Sequence, residues 1–77
     1  MNMKKDTIEG ISKKILQRII NKRQELGISQ MELALKLHLT ANGYFKIEKG
    51  LTKLDVKRLL QIAQVLEISP VYFLEDL

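Results

Sequence analysis

Apolar residues in the first third of the chain recur at three-to-four-residue intervals: Ile8, Ile11, Ile15, Ile19 and Leu26. That spacing lines one face of an α-helix. It predicts a first helix between about residues 6 and 26, with Asp6 and Glu9 in capping-box positions at its start. Gly10 costs a helix about 1 kcal/mol relative to Ala. The ordered helix is therefore expected to begin nearer Ser12, leaving residues 1–10 as a frayed N-terminal arm and residues 11–77 as the folded domain. Gly27 supplies the stop.

The same grammar repeats downstream. Ser29 and Glu32 make a second capping box ahead of Leu33, Ala34 and Leu37, predicting a short helix over about 30–37. Asp55 is a good N-cap for a segment in which Val56, Leu59, Leu60, Ile62, Ala63 and Leu66 keep helical spacing. Ser69 and Pro70 then open a last short helix in "SPVYFLEDL".

Between these segments, "LTANGYFKIEKG" carries a conflicting signal, because Asn-Gly between apolar residues is a strong hairpin mark. Register decides against it. A turn at Asn42 and Gly43 sets Ala41 opposite Tyr44, Leu39 opposite Lys46 and Leu37 opposite Glu48, while Phe45 and Ile47 fall with Thr40 and His38. Neither face is apolar. A helix capped by Thr40 instead places Tyr44 and Ile47 one turn apart and is closed by Gly50. With a turn at residues 38–40, the second and third helices have the spacing of a helix-turn-helix over about residues 29–49. The expected class is all-α.

A chain of 77 residues makes one domain, and at this size folding buries only roughly 60% of the unfolded surface. The absence of cysteine and the single histidine exclude disulfides and a cysteine metal cluster as extra support. Association with a second copy is the expected substitute. The net charge of +4 is unevenly spread: residues 1–27 hold seven Lys/Arg and three acids, whereas residues 67–77 hold three acids and no base. Such a basic side favours an anionic partner, most often nucleic acid. No apolar run approaches the length of a membrane span, and "MNMKK" leads into "DTIEG" rather than an export core, so a cytoplasmic location is expected. There is no nucleophile–base constellation, metal-ligand cluster or glycine-rich phosphate loop. Neither enzyme activity nor a cofactor or metal is expected.

The stretch "ISQMELALKLHLTANGYFKIEKG" resembles the helix-turn-helix of the phage-repressor (Cro/CI, or XRE) family. Ser29-Gln30, Leu33-Ala34, Ile47 and the ending Glu48-x-Gly50 carry the resemblance. It reaches back to Arg23 and on through "LLQIAQVLEIS", covering about residues 15–74. It implies a compact five-helix, lambda-repressor-like DNA-binding domain, usually part of a dimeric transcriptional regulator. Three departures stand out: His38 where the family usually has Gly in the turn, Phe45 where a small residue is usual, and Leu54 where Pro is frequent. Histidine is among the non-glycine residues enriched at positive φ, so a turn role is expected for His38 rather than a catalytic one.

By position, the resemblance implies that Ala41, Asn42, Gly43 and Lys46 face bases. Asn bonds adenine, Lys bonds guanine, Ala touches a thymine methyl, and Gly admits close backbone approach. Arg23, Gln30, Thr40, Lys49 and Lys53 are the phosphate candidates. Arg23 and Glu48 match an ion pair joining the first helix to the end of the third. Val71, Tyr72, Phe73, Leu74 and Leu77 form an apolar tail, the candidate dimer surface. The expected function is sequence-specific binding of double-stranded DNA by a homodimeric repressor or autoregulator on a palindromic operator. The alternative is an antitoxin or other protein-interaction module of the same fold, with a toxin as partner and DNA binding secondary.

Overall fold

The computed structural model describes residues 7–77. Among them the chain forms five helices and no strand: α1 (Ile8–Glu25), α2 (Gln30–Lys36), α3 (Ala41–Glu48), α4 (Val56–Val65) and α5 (Val71–Leu74). No helix among the described residues is long and apolar enough to cross a membrane.

Helix α1 starts earlier than Gly10 implied. Thr7 is its N-cap, and the Thr7 hydroxyl accepts a 2.9 Å hydrogen bond from the Gly10 amide. That bond, with burial of Ile11 one turn on, offsets the helix cost of Gly10. The expected Asp6–Glu9 box involves a residue outside the described range, as does most of the expected arm; residues 8–10 are helical.

The remaining starts follow their cap residues. Ser29 and Glu32 form a reciprocal box, with the Glu32 amide 3.0 Å from Ser29 Oγ and the Ser29 amide 3.2 Å from Glu32 Oε1. Thr40 Oγ1 accepts from the Gly43 amide at 3.0 Å, and Asp55 Oδ1 accepts from the Arg58 amide at 2.8 Å. At α5 the cap position falls to Pro70, while the Ser69 hydroxyl accepts weakly from the Val71 amide at 3.3 Å.

Four helix ends share one closure, in which a residue at positive φ lets the next amide reach back to the last turn. Gly27 (φ 71°) and Gly50 (φ 75°) close α1 and α3 with the glycine this geometry prefers. His38 (φ 59°) closes α2, with the Leu39 amide 2.8 Å from the Ala34 carbonyl, and Glu67 (φ 57°) closes α4, with the Ile68 amide 3.0 Å from the Ala63 carbonyl. Because a side chain at positive φ is sterically penalised, His38→Gly is expected to raise stability by up to ~1 kcal/mol, and a β-branched His38→Val to lower it. Urea midpoints of the two variants check this.

The core gathers one face of each helix: Ile19, Leu33, Ala34, Leu37, Tyr44, Ile47, Leu59, Ile62, Ala63, Leu66 and Phe73. Leu54, the residue standing where the family favours Pro, is half-buried against this cluster. Packing α2 and α3 on this core turns their remaining faces outward.

Candidate nucleic-acid interface

With ~100° between successive residues of an α-helix, Tyr44 and Ile47 point inward from α3 and are buried. Asn42 and Lys49 then lie at the centre of the opposite face, with Lys46 on one flank and Phe45 and Ala41 on the other. All five are exposed. Gly43 sits toward the inner edge, half-buried, and its amide is spent on the Thr40 cap. Thr40 is exposed and retains its hydroxyl proton for donation. Lys53 is exposed in the loop between α3 and α4.

The orientation of α3 is set by a buried polar hub at its C-terminal end. Glu48 accepts from Arg23 twice, Nε to Oε2 at 2.7 Å and Nη2 to Oε1 at 3.2 Å, a two-pronged charge-assisted pair. The Tyr44 hydroxyl donates to Oε2, and Gln30 Nε2 donates to Oε1 at 2.9 Å. The third arm of the guanidinium, Nη1, donates to the Ile28 carbonyl at 2.9 Å. One carboxylate thus takes four donors from α1, α2 and α3, and every buried side-chain polar atom among the described residues has a partner. The Arg23 and Glu48 side chains are only 9% and 6% exposed.

These contacts set the protonation states. Burial pushes the Glu48 carboxyl up, but the hydrogen bonds from Arg23, Tyr44 and Gln30 and the Arg23 charge together hold it below its ordinary value. The hydrogen bond to Glu48 raises the Arg23 guanidinium against an opposing cost of burial. Burial first, then the bond to Glu48, pushes the Tyr44 phenol well above its ordinary range, so it stays a neutral donor. The one acidic side chain of α3 is therefore neutralised within the fold.

The hub engages two of the phosphate candidates. Arg23 is buried and its guanidinium is bound to Glu48 and the Ile28 carbonyl, which removes it from the outer surface. Gln30 is half-buried, with one amide hydrogen committed to Glu48. The part played by Tyr44 was legible only as an apolar position. Its place four residues before Glu48, one turn away on the same helix, was the available signal.

The tail candidates divide. Val71, Tyr72 and Leu74 are exposed, whereas Phe73 and Leu77 are buried within their own chain and belong to its interior. A period of 3.6 forces the split within α5, which cannot turn all its apolar residues outward, while Leu77 lies beyond the helix end. Arg18 fastens α5 from below, its Nη1 donating to the carbonyls of Phe73 and Glu75. Tyr72 meets Phe73 edge-on, with ring centroids 5.5 Å apart, and carries the Lys22 ammonium 5.2 Å from its own ring. Among the described residues no group of three or more His, Cys, Asp or Glu is placed to hold a metal ion.

The family profile described as "Helix-turn-helix" matches residues 19–73, from the middle of α1 into α5. The chain belongs to this family, in its Cro/CI (XRE) branch. It is 35% identical over 77 residues to an HTH-type transcriptional regulator of Rickettsia prowazekii (strain Madrid E), covering all of this chain and 59% of that protein. A second, of Sinorhizobium fredii, is 37% identical over 60 residues, 78% of this chain and 42% of the relative. A third, of Rickettsia conorii, is 34% identical over 77 residues, all of this chain and 62% of the relative. The chain thus spans about half the length of the curated relatives it matches. No solved structure gives a significant match. Within this helix-turn-helix family the hub lies inside the matched segment, since Arg23, Gln30, Tyr44 and Glu48 all fall between residues 19 and 73.

Proposed function

We propose that this domain binds double-stranded DNA sequence-specifically as part of a transcriptional regulator, with the N-terminal half of α3 in the major groove and α2 across the backbone. The observation that carries this reading is the outward face of α3, where Asn42, Lys46 and Lys49 stand exposed on a helix locked to α1 and α2 through Glu48. A rigid helix with amide and ammonium side chains on its free face matches the hydrogen-bonding edges of the major groove. The names of the relatives, HTH-type transcriptional regulators, support it.

In this reading Asn42 bonds adenine and Lys46 bonds guanine, Ala41 touches a thymine methyl, and Thr40, Lys49 and Lys53 hold phosphates. A reading helix this short buys little affinity alone, so the proposed active form is a homodimer acting as a repressor or autoregulator on a palindromic operator, with half-sites about one helical turn (~34 Å) apart. Val71 and Leu74 extend an apolar groove of about 370 Å³ that includes Val56, Leu59 and Leu60, the surface offered for that pairing.

Affinity for the DNA upstream of its own gene is expected to fall steeply with salt. Lys49→Ala should weaken binding to all sequences and flatten the salt dependence by about one counterion. Asn42→Ala and Lys46→Ala should instead reduce the preference for that DNA over random duplex. Fluorescence anisotropy titrations at several salt concentrations measure both effects, and equal affinity of the unaltered protein for the two DNAs would sink the reading.

A further inference from the structure

Phe45 has no place in the core. It is 39% exposed, whereas Tyr44 and Ile47 of the same helix are buried in the central cluster. Its ring lies under the Lys49 ammonium, 5.3 Å from the centroid, within cation–π range. A single exposed phenylalanine is ordinary on a protein surface. This one stands on the outward face of α3, in a row with Ala41 one turn before it and Lys49 one turn after it, beside Asn42 and Lys46.

Direction along the helix adds to position. Helical side chains lean toward the N-terminus and cover the turn preceding their own Cα. Lys49 follows this rule, since its ammonium lies over Phe45, one turn back. The same rule directs the Phe45 side chain toward the turn that holds Ala41 and Asn42, the end of α3 that the proposed reading sets in the groove. A phenyl ring offers neither donor nor acceptor, and the apolar group presented by base edges in the major groove is the thymine C5 methyl.

We infer that Phe45 is a specificity-determining residue whose ring reads a thymine methyl in each half-site and, through the cation–π contact, holds the Lys49 ammonium in line for the neighbouring phosphate. This rests on the DNA-binding reading above and adds to it a second thymine-methyl contact, one turn along α3 from the one assigned to Ala41.

The test uses the full chain and a duplex that it selects from a random pool, with each thymine then replaced singly by deoxyuridine, which removes only the C5 methyl. At one thymine per half-site besides the one assigned to Ala41, the replacement is expected to weaken binding about fourfold, the ratio for withdrawing one methyl-sized group from an apolar contact. Phe45→Ala should bind both duplexes equally at that position while remaining sensitive to base changes elsewhere. Phe45→Gln, which keeps length without an apolar ring, should do the same. Circular dichroism of both variants checks that the helices persist. An unchanged thymine-to-uracil ratio in either folded variant overturns the inference. So does an unaltered protein indifferent to uracil at every position, a result that requires no variant to fold. If no sequence is enriched from the pool, the DNA-binding reading falls and this inference with it. Enrichment without the Phe45 effect removes the inference alone.

Discussion

Glu48→Ala is expected to lower the unfolding free energy by about 3–5 kcal/mol, the range for stripping one partner from a buried ion pair. For a domain of this size, whose whole stability is roughly 4 to 12 kcal/mol, that leaves the fold marginal at 25 °C. The loss is large because the substitution orphans three groups at once. The Arg23 guanidinium keeps its charge in a site where the side chain is 9% exposed, the Tyr44 hydroxyl loses its acceptor, and so does the Gln30 amide. Removing both charges together, as in Arg23→Met with Glu48→Leu, is expected to cost less than Glu48→Ala alone, since no unpaired ion remains. Urea denaturation of the single and double variants decides the matter. Equal or greater loss in the double variant would mean that the pair itself, rather than the stranded charge, dominates.

The same hub writes a pH dependence into stability. The folded Glu48 carboxyl sits below its ordinary 4.5, so the folded state binds that proton less readily than the unfolded chain does. The stabilisation is therefore complete above about pH 4.5 and is lost as pH falls through the folded value. Glu48→Gln should remove this component and flatten the acid limb of a stability–pH curve. At the other extreme, the Tyr44 phenol is raised above its ordinary 10.0, so its contribution is complete below that pH and erodes as pH climbs beyond it.

Much of the architecture was legible because it is written in local rules. Thr40, Ser29 and Asp55 announce helix starts by chemistry confined to four residues, and each caps the helix it heads. The Asn-Gly pair misleads only when considered alone. Its two possible registers differ in whether an apolar face forms, and the helix is the one that buries Tyr44 and Ile47. Legibility fails where a side chain's partner is distant or is backbone. Arg18 reads as a surface cation, yet it binds carbonyls of Phe73 and Glu75, and no pattern marks which helix end an arginine will reach. Gln30 reads as a phosphate ligand by position, but whether its amide is free depends on a carboxylate on another helix. The first turn of α1 forms despite the helix cost of Gly10 because the local Thr7 cap and the burial of Ile11 offset it, and of these only the burial depends on tertiary structure.

Phe73→Ala is expected to cost about 3–5 kcal/mol, the range for truncating a fully buried phenylalanine and leaving a cavity. Phe73 is fully enclosed by its own chain, and α5 is only four residues long, far too short to be helical without tertiary support. Its attachment rests on the Phe73 ring and the Arg18 bonds to the Phe73 and Glu75 carbonyls. Loss of the ring should therefore release the C-terminal turn, lower the denaturation midpoint, and do so equally at low and high protein concentration. Val71 and Leu74 give the opposite signature. They are 56% and 44% exposed, so Val71→Ser with Leu74→Ser should change the stability of the isolated domain by less than about 0.5 kcal/mol per site. If these residues form the proposed dimer surface, the same double variant should abolish the rise of the midpoint with protein concentration that a dimer produces. It should also leave an 8.9 kDa species in sedimentation at micromolar concentration. A concentration-dependent loss at Phe73, or an unfolded Val71/Leu74 variant, would reverse the assignment of which part of α5 faces the core and which faces a second copy.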